Sequence, residues 1–243
     1  MIQTLGIPIL NRGDLLLRCV SSIDVPIHTL FIINNGTSDD VAGAIHQIQE
    51  RAVASGDLFT EIRVEQHKNL GCARSWNRIM STCPGPWLIS GNDMQFMPGS
   101  VGKINSVLAA NPDASIVCAD GYAIFCMTPL GIQKVGLFDE NFYPAYYEDL
   151  DHFQRVRLSG AKAVGVPDFK FVHGEAPYWG SSTLKSDPTL ERRFAIITGN
   201  LRDYFVKKWG GEPGKEKFKT PYNKPVALNY VELDPALREK NSL

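Results

Sequence analysis

Apolar residues along the chain follow two alternating rhythms. Short β-type runs, "QTLGIPIL", "HTLFIINNG", "EIRVEQH" and "PWLISGND", are separated by stretches whose apolar positions recur at helical spacing. Leu16, Leu17, Val20 and Ile23 recur this way after the first run, and Val41, Ala44, Ile45 and Ile48 after the second. "CARSWNRIMSTC" reads as the helix after the third. Strands and helices alternating at this pace predict right-handed βαβ units and a mostly parallel sheet, the α/β class.

The second half changes character. "GSVGKINSVLAAN" reads as a helix, "SIVCADGYAIFCMTP" as strand-like, "YYEDLDHFQRVRLSG" as a helix with an acidic start, and "VGVPDFKFVHG" as one more strand. The longest helix is expected in "DPTLERRFAIITGNLRDYFVKKWGG". Its Asp187 can cap, Pro188 suits the first helical position, Leu190, Phe194, Ile197, Leu201 and Phe205 form an apolar stripe, and Gly210 and Gly211 end it. The tail from Glu212 onward is rich in Lys, Pro and Asn and has little periodicity. With no internal repeat and no clear linker, the expected organisation is one domain over residues 1–185, with 186–243 a C-terminal helix and an extended tail packed on it.

Composition narrows the partners. The 243 residues are 44% hydrophobic and 21% charged, ordinary for a globular chain, and carry a formal net charge of -1. No basic run calls for a nucleic acid or an anionic membrane. Five cysteines, without C-x-x-C spacing, argue against a disulfide framework and against a zinc site. The chain opens without a basic leader and has no apolar stretch near the ~18 residues that span a bilayer. The expectation is a cytoplasmic protein with at most peripheral membrane contact.

Candidate chemistry gathers at strand ends, where open α/β sheets bind ligands. The expected ends carry Asn11 and Arg12, then Asn34, Asn35 and Gly36, then Asn92 and Asp93. Asn, Asp and Gly populate turns without any ligand, but their placement on one edge favours a site. Asp93, expected to face solvent, is a hard oxygen donor suited to Mg²⁺ or Mn²⁺ that also holds phosphate oxygens. Gln95, on the same side if the segment is extended, is a weak neutral donor. Glu148, Asp149 and Asp151 crowd the acidic helix start beyond what capping requires. On a helix Asp149 lies ~100° from Glu148 and ~200° from Asp151, so the three cannot share one cleft.

"GIPILNRGDLLLRCVSSI", "LFIINNGTSDD", "NLGCARSWNRIM", "LISGNDMQFMPG" and "VGLFDENFYPAYYEDLDHFQRVRLSG", in this order, resemble glycosyltransferase family 2, with the flavour of its rhamnosyltransferase-like members. The resemblance covers about residues 1 to 175. It implies the GT-A fold, a Rossmann-like sheet flanked by helices, with a nucleotide-sugar half over about 1–97 and an acceptor half over about 98–185. It also implies a nucleoside-diphosphate sugar donor and a glycan or other hydroxyl acceptor. Residues 7–12, Pro8, Asn11 and Arg12 among them, and Asn34, Asn35 and Gly36 would form the nucleoside pocket, with Asn34 where many relatives carry Asp. Gly71, Arg74 and Asn77 would flank the diphosphate and sugar, and Asn92 would lie beside them. Asp93 would be the acid of the D-x-D-like motif, Gln95 standing in the place of its second acid. Some relatives place a metal-binding His after the acidic helix, and His173 could fill that role, although a lone His after a strand is often structural. Tyr146, Tyr147, Tyr178 and Trp179 are acceptor-side candidates.

Glycosyl transfer with inversion needs a base for the acceptor hydroxyl and a cation for the departing diphosphate. Asp149 is the expected base, supported by Glu148, with Asp151 a capping or Arg-pairing residue. Two other readings are a sugar nucleotidyltransferase, whose Gly-rich basic loop after the first strand is missing from "GIPILNRGD", and a binding module without catalysis, for which Asn34 and Gln95 speak.

Overall fold

The computed structural model describes the backbone of residues 1–55, 58–177 and 179–242, and their side chains apart from 52–55; Tyr178 therefore lies outside the described residues. The first half alternates as its pattern predicts. It runs β1 (Thr4–Ile9), α1 (Gly13–Ser21), β2 (Ile27–Asn34), α2 (Asp39–Ser55), β3 (Phe59–Gln66), α3 (Cys72–Thr82), β4 (Trp87–Ser90), β5 (Met94–Phe96) and α4 (Ser100–Ala110). The second half contains β6 (Ile116–Asp120), β7 (Ile124–Met127), α5 (Pro129–Val135), α6 (Glu148–Ser159), β8 (Ala163–Gly165) and β9 (Phe171–His173). It ends with α7 (Ser182–Lys185), α8 (Pro188–Trp209) and α9 (Pro235–Lys240).

Seven strands form one sheet in the order β3-β2-β1-β4-β7-β6-β8. β1 pairs in parallel with β2 and β4, β2 with β3, and β6 with β8, while β7 is antiparallel to both β4 and β6. Alternate residues of β2 serve opposite faces. Leu30 and Ile32 pack with Leu16 and Val20 of α1 and Val41 and Ile45 of α2, whereas Phe31 and Ile33 pack with Trp76 and Ile79 of α3. Both faces are thus covered, which is why β1 and β2 read as nearly continuous apolar runs.

Two stretches expected to be single elements are divided. "SIVCADGYAIFCMTP" is a hairpin, β6 and β7, turning at Asp120 to Ala123, where Ala123 N–H donates to Asp120 O at 2.9 Å. "VGVPDFKFVHG" breaks at Pro167 and Asp168, a residue without an N–H followed by one at φ 50°, so β8 joins the main sheet and β9 pairs with β5 instead.

Helix α8 starts as its sequence predicts, Asp187 accepting the Thr189 and Leu190 N–H groups at 2.9 and 3.0 Å with Pro188 at the first position. Its stripe of Ile197, Leu201, Tyr204, Phe205 and Trp209 packs on Phe142. Beneath lies a fully buried charge cluster. Lys208 Nζ contacts Asp139 at 2.8 Å and Asp151 at 2.6 Å, and Arg155 Nε and Trp209 Nε1 both donate to Asp151, at 2.9 and 2.8 Å. Asp151 is accordingly an Arg-pairing residue and not a cap. The cluster joins α6, α8 and the Asp139 loop, and deleting one member would cost about 3–5 kcal/mol by leaving a buried charge unpaired.

Candidate active site

The carboxyl ends of β1 and β4, the start of α3 and the segment around α7 enclose a cleft of about 270 Å³. Pro8, Asn35, Gly71, Asn92, Asp93 and His173 all stand in its wall. Asn35 is held from two sides, its Oδ1 accepting Leu70 N–H at 2.9 Å and its Nδ2 donating to Ser75 Oγ at 3.0 Å. Gly71 has φ 78°, and a Cβ there would lie 2.6 Å from Pro144 O, so the close approach of the 140s loop to α3 requires glycine.

Other expected residues are turned to framework duties. Asn34 donates to Gln66 Oε1 at 2.6 Å and accepts Gly36 N–H at 3.0 Å, outside the cleft wall. Gly36 sits so near Leu10 that a Cβ would be 1.9 Å from its carbonyl oxygen. Asn77 brackets Phe138, donating to its O at 2.8 Å and accepting its N–H at 2.9 Å, and Arg74 faces Glu140 at 3.6 Å; neither reaches the wall. Arg12, at φ 65°, pairs with Asp14 at 2.7 Å and with Glu175.

Asp93 departs from the solvent-facing position expected for it. It is 5% exposed because α7 covers it: Ser182 N–H donates to Oδ2 at 2.9 Å. The same segment holds the neighbours of Asp93, Thr183 O accepting Asn11 Nδ2 at 3.1 Å and Thr183 Oγ1 lying 3.4 Å from Asn92 Oδ1. Asp93 occupies the turn before β5, so strand alternation does not relate it to Gln95. Across the β5–β9 pair Met94 lies opposite His173, and both line the cleft, whereas Gln95 lies opposite Val172 and does not.

His173 bridges two carboxylates. Its Nε2 lies 3.6 Å from Asp93 Oδ1 and its Nδ1 3.7 Å from Asp120 Oδ2. Asp93 and His173 are thus two candidate donors on one side of the cleft. Among the described residues, no group of three or more His, Cys, Asp or Glu is placed to hold a metal ion.

Glu148 and Asp149 open α6 just beyond Tyr146; Tyr146 is in the wall, and the two acids stand behind it rather than in the wall themselves. Burial pushes the Glu148 carboxyl well above the usual carboxylate range, and the charge of Asp149 adds to the shift. One of its oxygens, Oε2, is buried without a partner. Burial also raises Asp149, although Leu150 N–H donates to its Oδ1 at 2.8 Å. Two adjacent acids in a dry setting do not ionise together readily. Of the two, Glu148 is the more deeply buried and the more strongly raised, and Asp149 is the more exposed and accepts a hydrogen bond. The wall is tied to α6 by Tyr122, whose hydroxyl meets His152 Nδ1 at 2.8 Å. Sequence reading missed Asp120, Tyr122 and the Ser181 to Thr183 segment; the only signal was the Asp-Gly turn of "CADGY".

This mostly parallel seven-stranded sheet flanked by helices is the GT-A fold. The sequence profile of glycosyl transferase family 2 matches residues 4–158, and the chain belongs to that family. A galactofuranosyl glycosyltransferase of Leishmania donovani is 45% identical over 56 residues, which are 23% of this chain and 13% of that protein. Among solved structures, the mannosyltransferase PcManGT from Pyrobaculum calidifontis, in complex with GDP-Man and Mn²⁺, superposes with a TM-score of 0.59 at 14% identity, covering 82% of this chain and 63% of that one. TarS 1-349 of S. aureus gives 0.55 at 12% identity, covering 83% and 66%. The chain thus spans under two thirds of the mannosyltransferase and a small part of the Leishmania protein. No described helix is long and apolar enough to cross a membrane.

Proposed function

We propose that the chain is an inverting glycosyltransferase that moves a sugar from a nucleoside-diphosphate donor to a hydroxyl acceptor with the help of Mn²⁺ or Mg²⁺. The observation that carries this reading is the pair Asp93 and His173, side by side in the cleft wall of a family 2 fold. A carboxylate and an imidazole fit a hard or borderline cation whose other positions are filled by phosphate oxygens and water. Such an ion, when bound, would neutralise the diphosphate as it leaves. Pro8, Asn35 and Gly71 line the space for the donor, and Asn92 stands beside the diphosphate position.

On the acceptor side Asp149 takes the hydroxyl proton as the acceptor oxygen bonds to the anomeric carbon and the bond from that carbon to phosphate breaks. Burial raises its carboxyl above the usual range, which makes it a stronger proton acceptor than a free carboxylate. Glu148, protonated and buried beside it, keeps a second negative charge out of the site. Donor half, acceptor half and C-terminal segment then divide near residues 97 and 185. All five cysteines are free, which suits a reducing cytoplasm.

A binding module without turnover is the second reading, favoured by Gln95 lying outside the cleft. Incubation with a panel of nucleotide sugars and Mn²⁺ separates the two. Release of nucleoside diphosphate supports the transferase, and tight binding without release supports the module.

A further inference from the structure

The β6–β7 ladder slips register between Cys118 and Asp120. An irregularity of this kind re-aims the side chains beside it. Asp120, at the end of β6, has its carboxylate toward the imidazole of His173 on β9, a strand of the other sheet, with Oδ2 3.7 Å from Nδ1. On the far side of the ring Nε2 accepts the N–H of Ser181 at 3.4 Å and lies 3.6 Å from Asp93 Oδ1. A ring nitrogen that accepts an N–H carries its lone pair there, so the proton of the neutral ring sits on Nδ1, the atom that faces Asp120.

We propose that Asp120 is a positioning residue for the cation site: it holds His173 in the Nδ1–H tautomer and turns the Nε2 lone pair toward Asp93, making His173 the donor that Gln95 cannot be. The inference rests on the metal-assisted reading of the cleft. Carboxylate, imidazole and cation in a row is a recurrent arrangement, because the outer carboxylate fixes the tautomer and raises the basicity of the ligating nitrogen. The separation of 3.7 Å exceeds a direct hydrogen bond, so in this structure the carboxylate selects the tautomer by charge and not by a formed bond. Gln95 has no route to this role, since it points away from the face shared by Met94 and His173.

The first measurement is made on metal-free protein. Side-chain nitrogen shifts of the five histidines, with His173 assigned by the missing signals of His173→Gln, are expected to give the Nδ1–H form in the wild type. Asp120→Leu, which removes both the charge and the oxygen, is expected to move His173 toward the Nε2–H form, and Asp120→Asn, which removes the charge but keeps an oxygen, to move it less far. Mn²⁺ affinity in the presence of a nucleoside diphosphate, read by electron paramagnetic resonance, is expected to fall about 10–100-fold in Asp120→Leu and less in Asp120→Asn. Asp93→Ala should lose Mn²⁺ without changing the tautomer. An Nε2–H ring in the wild type, or an Asp120→Leu protein with unaltered tautomer and Mn²⁺ affinity, overturns the inference. A wild type that binds no Mn²⁺ overturns the metal-assisted reading itself, and the tautomer result then reports separately on whether Asp120 orients the ring. The Asp120 side chain is more than a third exposed, and unchanged melting of the variants confirms that the comparison is between folded proteins.

Discussion

The backbone N–H of Ser182 donates to Asp93 Oδ2 at 2.9 Å, and the N–H one residue earlier, on Ser181, donates to His173 Nε2 at 3.4 Å. Two consecutive amide groups therefore cover the two side chains assigned to the cation, offering partial positive charge where an ion would stand. On the metal-assisted reading, cation binding would compete with the seating of α7 for the same lone pairs.

That competition has an optical reporter. Trp179 is 56% exposed and lies just before α7, whereas Trp76, Trp87 and Trp209 are buried. Lys185 Nζ on α7 donates to Trp179 O, which ties the Trp179 segment to α7. Adding Mn²⁺ with a nucleoside diphosphate is expected to change tryptophan emission more in the wild type than in Trp179→Phe, where Trp76 in the cleft wall still responds to the ligand. An equal change in the two proteins at saturating ligand would mean that α7 stays seated when the cleft is filled.

Asp93→Ala is expected to abolish divalent-dependent nucleotide binding, measured by calorimetry, and to carry a modest stability cost. The cost arises because the Ser182 N–H loses a buried acceptor, on the order of 1–2 kcal/mol in the metal-free protein. Unchanged nucleotide affinity with Mn²⁺ present would remove Asp93 from the cation site.

Much of this site could be read from residues 1–97, because there β1, β2 and β4 are buried along almost all their length and each ends in a turn. Continuous apolar runs closed by Asn, Asp or Gly named β1, β2 and β4 together with the Asn92 and Asp93 corner. What could not be read is what crosses the sheet edges. Asn34 and Asn77 are amides that sequence cannot tell from ligand groups, and only tertiary contact assigns them to Gln66 and Phe138. The β5–β9 pair joins residues 94–96 to 171–173, a non-local match of two three-residue strands too short for a period-2 signal. Both the loss of Gln95 from the cleft and the meeting of His173 with Asp93 follow from that pairing. Helix α9 begins with Asp234 capping Ala236 and Leu237 before Pro235 has any apolar stripe to announce it.

Glu148→Gln should reveal the burden of a buried acid. In the unfolded chain a glutamate titrates near 4.3. In the folded chain burial raises Glu148 well above this, so between the two pKa values the native state holds a proton that the unfolded state has lost. Stability contributed by this group is then complete at low pH and declines as pH rises from about 4.3 through the raised value. Gln is neutral throughout, so Glu148→Gln is expected to melt higher than the wild type at pH 8, with the difference shrinking toward pH 5. Parallel melting curves of the two proteins across that range would show that Glu148 is not protonated in the native state.

Asp149→Asn separates catalysis from helix support on one residue. Asp149 is not the N-cap of α6, and its Oδ1 accepts the N–H of Leu150 at 2.8 Å, a role the amide oxygen of Asn can also play. The substitution therefore preserves volume and that contact while removing the ability to accept a proton at neutral pH. If Asp149 is the base, kcat falls by roughly 10²-fold or more while donor affinity and melting temperature stay near wild type. Glu148→Gln provides the internal control: a protonated, buried neighbour gives up no base, so its kcat should fall far less than that of Asp149→Asn. A near wild-type kcat for Asp149→Asn would take the proton transfer away from this helix and return its acids to packing and charge balance.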